Sequence, residues 1–128
     1  MNIALFLFQP FDPNAGGAQR STSKLAEIYK SFGHNVILIS SSQSPSIVSS
    51  WLEMPIFQIN IKNDASVFRQ ILIDNAISLI INNAGESMKS TQFLLKNKGV
   101  HTKLINILRI NPTNFYDNHK DYIGFFFS

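Results

Sequence analysis

The chain has 128 residues, of which 45% are hydrophobic and 15% are charged, and its formal net charge is +3. This composition is typical of one globular domain and excludes a disordered chain. The absence of cysteine excludes disulfides and thiolate metal sites. The basic residues are scattered, which argues against nucleic-acid binding and permits only contact with anionic ligands or with the surface of an anionic membrane.

The first third of the chain predicts a strand, a helix and a second strand. Residues 3–8 form an apolar run, which is typical of a strand buried on both faces of a parallel sheet. Residues 17–32 follow a helical pattern, and Gly33 is expected to end the helix in the left-handed conformation. Residues 36–39 are a second buried strand. The apolar positions expected to form the buried face of the helix are Leu25, Ile28, Tyr29 and Phe32.

The rest of the chain continues this alternation. Residues 40–50 are rich in serine and predict a loop, residues 51–55 are ambiguous, and residues 57–61 predict a strand near the sheet edge. A helix capped by Asn63 or Asp64 follows. Residues 78–81 and 103–108 predict strands, with a helix at 86–98 between them. The pattern indicates a Rossmann-like three-layer α/β domain over residues 1–110, with a mostly parallel sheet of about five strands, and an aromatic tail over residues 111–128.

The loop after the first strand is the most informative motif. It places Gly16 and Gly17 at the start of a helix, where unpaired backbone N–H groups suit a phosphate or a carboxylate. The same two glycines would also serve in a tight turn, and physical reasoning leaves both interpretations open. The spacing is neither the dinucleotide fingerprint nor a Walker loop.

Polar residues that follow the predicted strands are further candidates, because open α/β sheets bind ligands at the carboxyl ends of their strands. Amides and guanidinium groups suit sugar hydroxyls and phosphates, whereas ordinary turn chemistry is the alternative for the asparagines. No two histidines have the spacing of metal ligands, so no metal site is predicted. The candidates are Asp12 and Asn14 after the first strand, Asn82 and Asn83 after the fourth, and Arg109 and Asn111 after the fifth.

Three segments together resemble the opening of family 4 (group 1) glycosyltransferases of the GT-B fold. These segments are Gly-Gly-Ala-Gln-Arg-Ser-Thr at 16–22, Leu-Ala-Glu at 25–27 and Gly-His-Asn-Val at 33–36. The resemblance is carried by residues 1–40 and continues as element order over residues 56–112. It implies the N-terminal, acceptor-side half of a retaining glycosyltransferase that uses a nucleotide sugar to build a cell-surface polysaccharide or a lipid-linked glycan.

The resemblance also assigns roles to residues and partners. Gly16, Gly17 and Arg20 would lie near the donor diphosphate, although Arg20 also fits a solvated surface, and His34 would shape a turn far from the cleft. Arg109 stands where the family usually has a histidine that faces the acceptor. The apolar N-terminus is too short to span a membrane and lacks the pattern of a signal peptide, which predicts a cytoplasmic protein, at most peripheral at the inner face of the membrane. The resemblance implies no cofactor beyond the nucleotide-sugar substrate. The Arg-Lys pair and the Glu-x7-Glu segment of the C-terminal donor domain are absent from these residues, which are therefore expected to be inactive alone.

Two other classes of protein remain as alternatives. One is a non-catalytic Rossmann-like module that binds a nucleotide or a phosphorylated ligand, or that pairs with a separate catalytic chain. The other is a fragment of a dinucleotide-dependent oxidoreductase. The missing glycine fingerprint argues against the oxidoreductase, as does the absence of an acid after the second strand, where the chain has Ser40, Ser41 and Ser42.

Overall fold

A computed structural model describes residues 1–14, 17–42, 47–84 and 87–107. Gly16, Arg109, Asn111 and the predicted tail at 111–128 lie outside the described residues. Strands and helices alternate along the described chain. They are β1 (Asn2–Leu7), α1 (Gly17–Ser31), β2 (Asn35–Ser41), β3 (Ile47–Trp51), β4 (Met54–Ile59), α2 (Ala65–Asp74), β5 (Leu79–Asn82), α3 (Met88–Asn97) and β6 (Lys103–Asn106).

The strands form one six-stranded sheet in the order β3-β4-β2-β1-β5-β6. Neighbouring strands are parallel, except that β3 pairs antiparallel with β4 at one edge. The chain passes from β1 to β2 and β4 on one side, and the later strands β5 and β6 lie on the other side of β1. The predicted Rossmann-like α/β class is therefore confirmed, and the strand order reverses between β1 and β5.

Side chains of the central strands alternate between two apolar cores, which gives the three layers. Ile3, Leu5 and Leu38 pack with Ala26 of α1 on one face of the sheet. On the other face, a second core includes Phe68 of α2 and Phe93 of α3, whose ring centroids are 5.0 Å apart. Successive residues of a strand point to opposite faces, so a continuous apolar run is required where helices cover both faces of the sheet.

The hairpin of β3 and β4 differs from the prediction of a loop at 40–50. Trp51 pairs with Met54, so the connecting turn consists of Leu52 and Glu53, whose φ angles are +48° and +64°. Two-residue turns with positive φ at both positions strongly favour Asn-Gly or Asp-Gly. This sequence lacks that signal, which explains why the hairpin was missed.

The buried face of α1 also differs from the prediction. Leu25 and Tyr29 pack against the core as expected, but Ile28 is 47% exposed and Phe32 is 74% exposed. The most deeply buried positions carry small or polar side chains instead, namely Gln19, Thr22, Ser23 and Ala26. The large apolar residues of α1 therefore do not mark the centre of its buried face, which consists of these four small or polar side chains.

The helix ends are partly as predicted. Gly33 and Gly99 have φ angles of +89° and +79°, which confirms a left-handed residue after α1 and shows the same conformation after α3. Asp64 occupies the N-cap position of α2, but its carboxylate accepts a hydrogen bond from the Asn60 backbone N–H at 2.8 Å and makes no capping bond to the helix. The predicted side-chain cap is therefore wrong. Within the described ranges, no helix is long and apolar enough to cross a membrane.

Candidate functional site

A cavity of about 300 Å³ lies at the carboxyl ends of β1 and β5, where the strand order reverses. This point is where open α/β sheets bind ligands, because the loops after adjacent strands separate to opposite faces. We call it the switch-point cavity. It is lined by Leu7, Phe8, Gln9, Gln19, Asn83, Ala84 and Ser87.

Gln19, in the first turn of α1, holds the loop after β1 beside this cavity. Its side-chain Nε2 donates to the Pro10 carbonyl at 2.9 Å, and its Oε1 accepts from the Asp12 backbone N–H at 3.1 Å. Both ends of the amide are therefore used to fix the loop. The sequence pattern did not indicate Gln19, which lies on the same buried face of α1 as Thr22 and Ala26.

Asp12 and Asn14 lie on the same loop but do not line the switch-point cavity. Both residues are exposed, and Asp12 Oδ1 accepts a hydrogen bond from the Asn14 backbone N–H at 2.9 Å. An aspartate that bonds the backbone two residues later forms an Asx turn. Asp12 therefore has a role in shaping the loop, and its candidate role toward an acceptor stays a prediction.

Gly17 is the first residue of α1, and Arg20 follows within its first turn. A Cβ atom added to Gly17 would meet no described heavy atom within 4 Å, so the space beside this backbone is open. Arg20 is exposed and forms no ion pair within the described ranges. The two residues are thus accessible from solvent at the helix N-terminus, where backbone N–H groups favour anions.

The structure gives the two asparagines at the end of β5 different surroundings. Asn82 has no exposed surface, and its Nδ2 donates to Thr91 Oγ1 at 3.2 Å and to Asn106 Oδ1 at 2.9 Å. Its own Oδ1 accepts from the Ala84 backbone N–H at 3.0 Å. The buried amide joins β5, β6 and α3, so Asn82 has a structural role, and its candidate role toward an acceptor stays a prediction. Asn83 is also buried, but it lines the switch-point cavity and donates to Thr22 Oγ1.

A second cavity, of about 290 Å³, lies at the carboxyl ends of β1, β2 and β4. It shares Phe8 and Gln9 with the switch-point cavity, so the two adjoin. We call it the lysine cavity, because two exposed lysines that no sequence motif indicated contribute to its lining. It is lined by Phe8, Gln9, Pro10, Ser41, Ser42, Asn60, Ile61, Lys62 and Lys89.

The amino edge of the sheet holds two larger cavities of about 410 Å³ each, one lined in part by His34 and the other by His101. His34 Nδ1 lies 3.0 Å from the Met1 amino group, and its ring contacts Tyr29 edge-on. These contacts tie β1 to β2 and α1, which agrees with a structural role for His34. In the described part of the chain, no three His, Asp or Glu side chains are grouped to hold a metal ion.

Neither a protein-family model nor a curated protein sequence matches the chain. Two solved structures are similar in fold. Sucrose-phosphate synthase from Thermosynechococcus elongatus has a TM-score of 0.60 and 13% identity, and the match covers 91% of this chain and 35% of that protein. A short-chain dehydrogenase/reductase mutant from Serratia marcescens has a TM-score of 0.53 and 8% identity, and the match covers 95% of this chain and 66% of that protein.

These likenesses define a class of fold. The synthase supports a GT-B-like fold, and both structures support a Rossmann-like domain. At 13% and 8% identity, they speak to the fold alone. The chain spans about a third of the length of the synthase that it matches.

Proposed function

We propose that this chain is the N-terminal, acceptor-side half of a retaining nucleotide-sugar-dependent glycosyltransferase that builds a cell-surface polysaccharide or a lipid-linked glycan. The observation that carries the proposal is the open backbone at Gly17, which begins α1 beside the switch-point cavity. The GT-B-like fold and the order of the motifs over residues 1–40 support it.

In this proposal the loop after β1 meets the donor. The N–H groups of Gly16 and Gly17 approach the diphosphate, and Arg20 adds a positive charge one turn into the helix. A side chain at Gly17 would occupy the space that the diphosphate needs. This explains the use of glycine at a helix position where alanine would be more stable.

The acceptor lies across the switch-point cavity. At about 300 Å³ this cavity is at the lower end of the usual range for ligand sites, so it suits a group the size of one sugar. Asn83 lines this cavity beside Gln19, which holds the loop after β1, and Asp12, Asn14, Arg109 and Asn111 remain candidates for contact with the acceptor. A second domain, on this or another chain, holds the nucleotide, and its closure positions the donor and excludes water.

The proposal is tested by sugar transfer with the complete gene product that contains these residues. We expect Gly17→Trp to lower the transfer rate at least tenfold, because the indole would displace the diphosphate. Val100→Trp is the matched control, since Val100 is 90% exposed and precedes β6 at the opposite edge of the sheet. Equal rates for the two variants would refute the role of the loop.

A binding module for a nucleotide or a phosphorylated ligand is the second candidate. The lysine cavity favours it, because two ammonium groups can attract an anion without a partner domain. Calorimetry of the isolated chain with nucleoside diphosphates separates the two functions. Micromolar binding without any transfer by the complete gene product would favour the module, whereas the glycosyltransferase half is expected to bind nucleotide weakly when alone.

A further inference from the structure

We propose that the lysine cavity binds a phosphate group carried by the acceptor, an assignment that rests on the proposed function. Lys62 comes from the turn between β4 and α2, and Lys89 comes from the first turn of α3. The two lysines are 27 positions apart in sequence, and the fold brings them to one cavity at the carboxyl edge of the sheet.

The charges around this cavity favour an anion. Neither lysine forms an ion pair or a side-chain hydrogen bond with the described part of the protein. The nearest acid along the chain from Lys62 is Asp64, whose carboxylate accepts from the Asn60 backbone N–H. The nearest acid along the chain from Lys89 is Glu86, which lies outside the described residues. A phosphomonoester carries a charge of about −1.5 to −2 with three acceptor oxygens, which matches two separate ammonium groups better than a carboxylate does.

Asn60 adds a donor to the same wall. Its Oδ1 accepts from the Lys62 backbone N–H at 2.9 Å, which fixes the orientation of the amide. The other end of this amide is the Nδ2 group, which is a donor. The polar lining of the cavity therefore combines lysine and amide side chains from two sides, and its described part includes no aspartate or glutamate.

The position of Lys89 is unfavourable for the helix itself. A cation in the first turn of a helix opposes the positive end of the helix dipole, and the first turn of α3 has no acid to offset it. A bound phosphate would reverse this effect, because it would be attracted both to the ammonium group and to the dipole.

The two adjoining cavities indicate how the acceptor lies. They share Phe8 and Gln9, so one ligand can reach across these residues. The sugar would occupy the switch-point cavity and its phosphate the lysine cavity, on the β2 and β4 side of β1. The donor diphosphate is assigned to Gly17 and Arg20, which line neither cavity, so the two anions would have separate sites.

The test is an NMR titration of the intact 128-residue chain with inorganic phosphate at constant ionic strength. We expect saturable shifts at the backbone amides of residues 60–62 and 89. Lys62→Gln and Lys89→Gln should each weaken phosphate binding about three- to tenfold, since each removes one exposed charged contact. Lys103→Gln removes the same charge at the opposite edge of the sheet and should leave the affinity unchanged. Shifts that do not saturate, or equal weakening in all three variants, would overturn the proposal.

Two further titrations assign the phosphate to the acceptor. Glucose 6-phosphate should compete with inorganic phosphate and glucose should not, and competition by neither sugar would overturn the acceptor assignment. Uridine diphosphate should bind equally well to Lys62→Gln and to the unchanged chain, or should bind to neither. Weaker binding of uridine diphosphate to Lys62→Gln alone would show that the lysine cavity binds the donor and would overturn the acceptor assignment. These titrations measure binding and do not require sugar transfer, so they are valid even if the complete gene product shows no transfer. If the gene product transfers sugar but this chain does not bind phosphate, only the present inference is refuted.

Discussion

At the scale of single residues, the carboxyl edge of the sheet separates side chains that hold the fold from side chains that face a cavity. Asn82 and Asn83 are neighbours of the same type, yet the first has all its polar atoms bonded inside the protein and the second lines a cavity. Asn82 is the last residue of β5 and Asn83 is the first residue after it, and their side chains point to opposite faces of the sheet as consecutive strand residues do. Asn82 faces α3, and Asn83 faces α1.

Replacing Asn82 by alanine should therefore reduce stability. The change leaves the Ala84 backbone N–H and the side chains of Thr91 and Asn106 without this partner in a buried site, which is expected to cost about 2–3 kcal/mol. The free energy of unfolding in urea measures the effect. Asn63→Ala is the control, since Asn63 is exposed, and it should change stability by less than about 0.5 kcal/mol. A loss below 0.5 kcal/mol for Asn82→Ala would contradict the structural role.

Replacing Gly17 by alanine is expected to increase stability, in contrast to Asn82→Ala. It lies in α1 without positive φ, and an added Cβ would meet no described atom, so Gly17→Ala should raise the free energy of unfolding by up to about 1 kcal/mol. Urea denaturation of the isolated chain checks this. Gly33→Ala is the matched comparison, because the φ of +89° at Gly33 makes any side chain unfavourable and should lower stability. Destabilisation by Gly17→Ala would mean that its conformation requires glycine.

At the scale of elements, the β3–β4 hairpin contains local strain. Leu52 and Glu53 both adopt left-handed backbone conformations that cost about 1 kcal/mol or more for residues of this type. The paired change Leu52→Asn and Glu53→Gly supplies the residues that such a turn favours. We expect it to raise the melting temperature and to stabilise the chain by about 1–2 kcal/mol.

One side effect of this change can be measured separately. Glu53 also lies 3.7 Å from the Lys30 ammonium, in an exposed ion pair that is worth little. Glu53→Gln removes the charge alone and should change the free energy of unfolding by less than about 0.5 kcal/mol. A paired variant no more stable than Glu53→Gln would show that the turn is not strained.

The contact between α2 and α3 is an apolar packing interaction that should contribute strongly to stability. Phe68 is fully buried and packs on Phe93 in the core that these helices share. Phe68→Ala should cost about 3–5 kcal/mol, as for other large-to-small changes in a core. Phe32→Ala, at a position that is 74% exposed, should cost less than about 1 kcal/mol. Similar losses of stability for both variants would contradict the assignment of Phe68 to the core and of Phe32 to the surface.

The sequence predicted best those elements in which a single physical requirement determines the residue type. The apolar runs of β1 and β2 are required by burial on both faces, and Gly33 is required by a positive φ. The hairpin was missed because Leu52 and Glu53 adopt their turn against their own preference. The face of α1 was misjudged because small polar residues, held by hydrogen bonds such as those of Gln19, pack there in place of large apolar ones.

The candidate site was predicted only in part for a similar reason. The carboxyl edge follows from element order, so Gly17 and Asn83 could be chosen from the sequence. Lys62 and Lys89 could not, because their proximity to one cavity depends on where two separate helices begin. The structural role of Asn82 could not be predicted either, because its hydrogen bonds link residues up to 24 positions apart.

At the scale of the whole molecule, the described residues form a Rossmann-like unit whose candidate ligand groups lie at one edge. Two adjoining cavities and the start of α1 lie at the carboxyl edge, whereas the histidines His34 and His101 lie at the other. In the proposed glycosyltransferase, this unit would present the acceptor and the anionic part of the donor, and a second domain would supply the rest of the nucleotide site. The proposed glycosyltransferase therefore requires both halves.

The most direct test of this account is sugar transfer by the complete gene product, with a panel of labelled nucleotide sugars and the membrane glycans of the source cell as acceptors. The account predicts transfer from one of these donors, with the anomeric configuration of the new bond, determined by NMR, equal to that of the donor. An inverted configuration would contradict the retaining assignment. No transfer from any nucleotide sugar, by a folded protein that binds them, would contradict the glycosyltransferase itself.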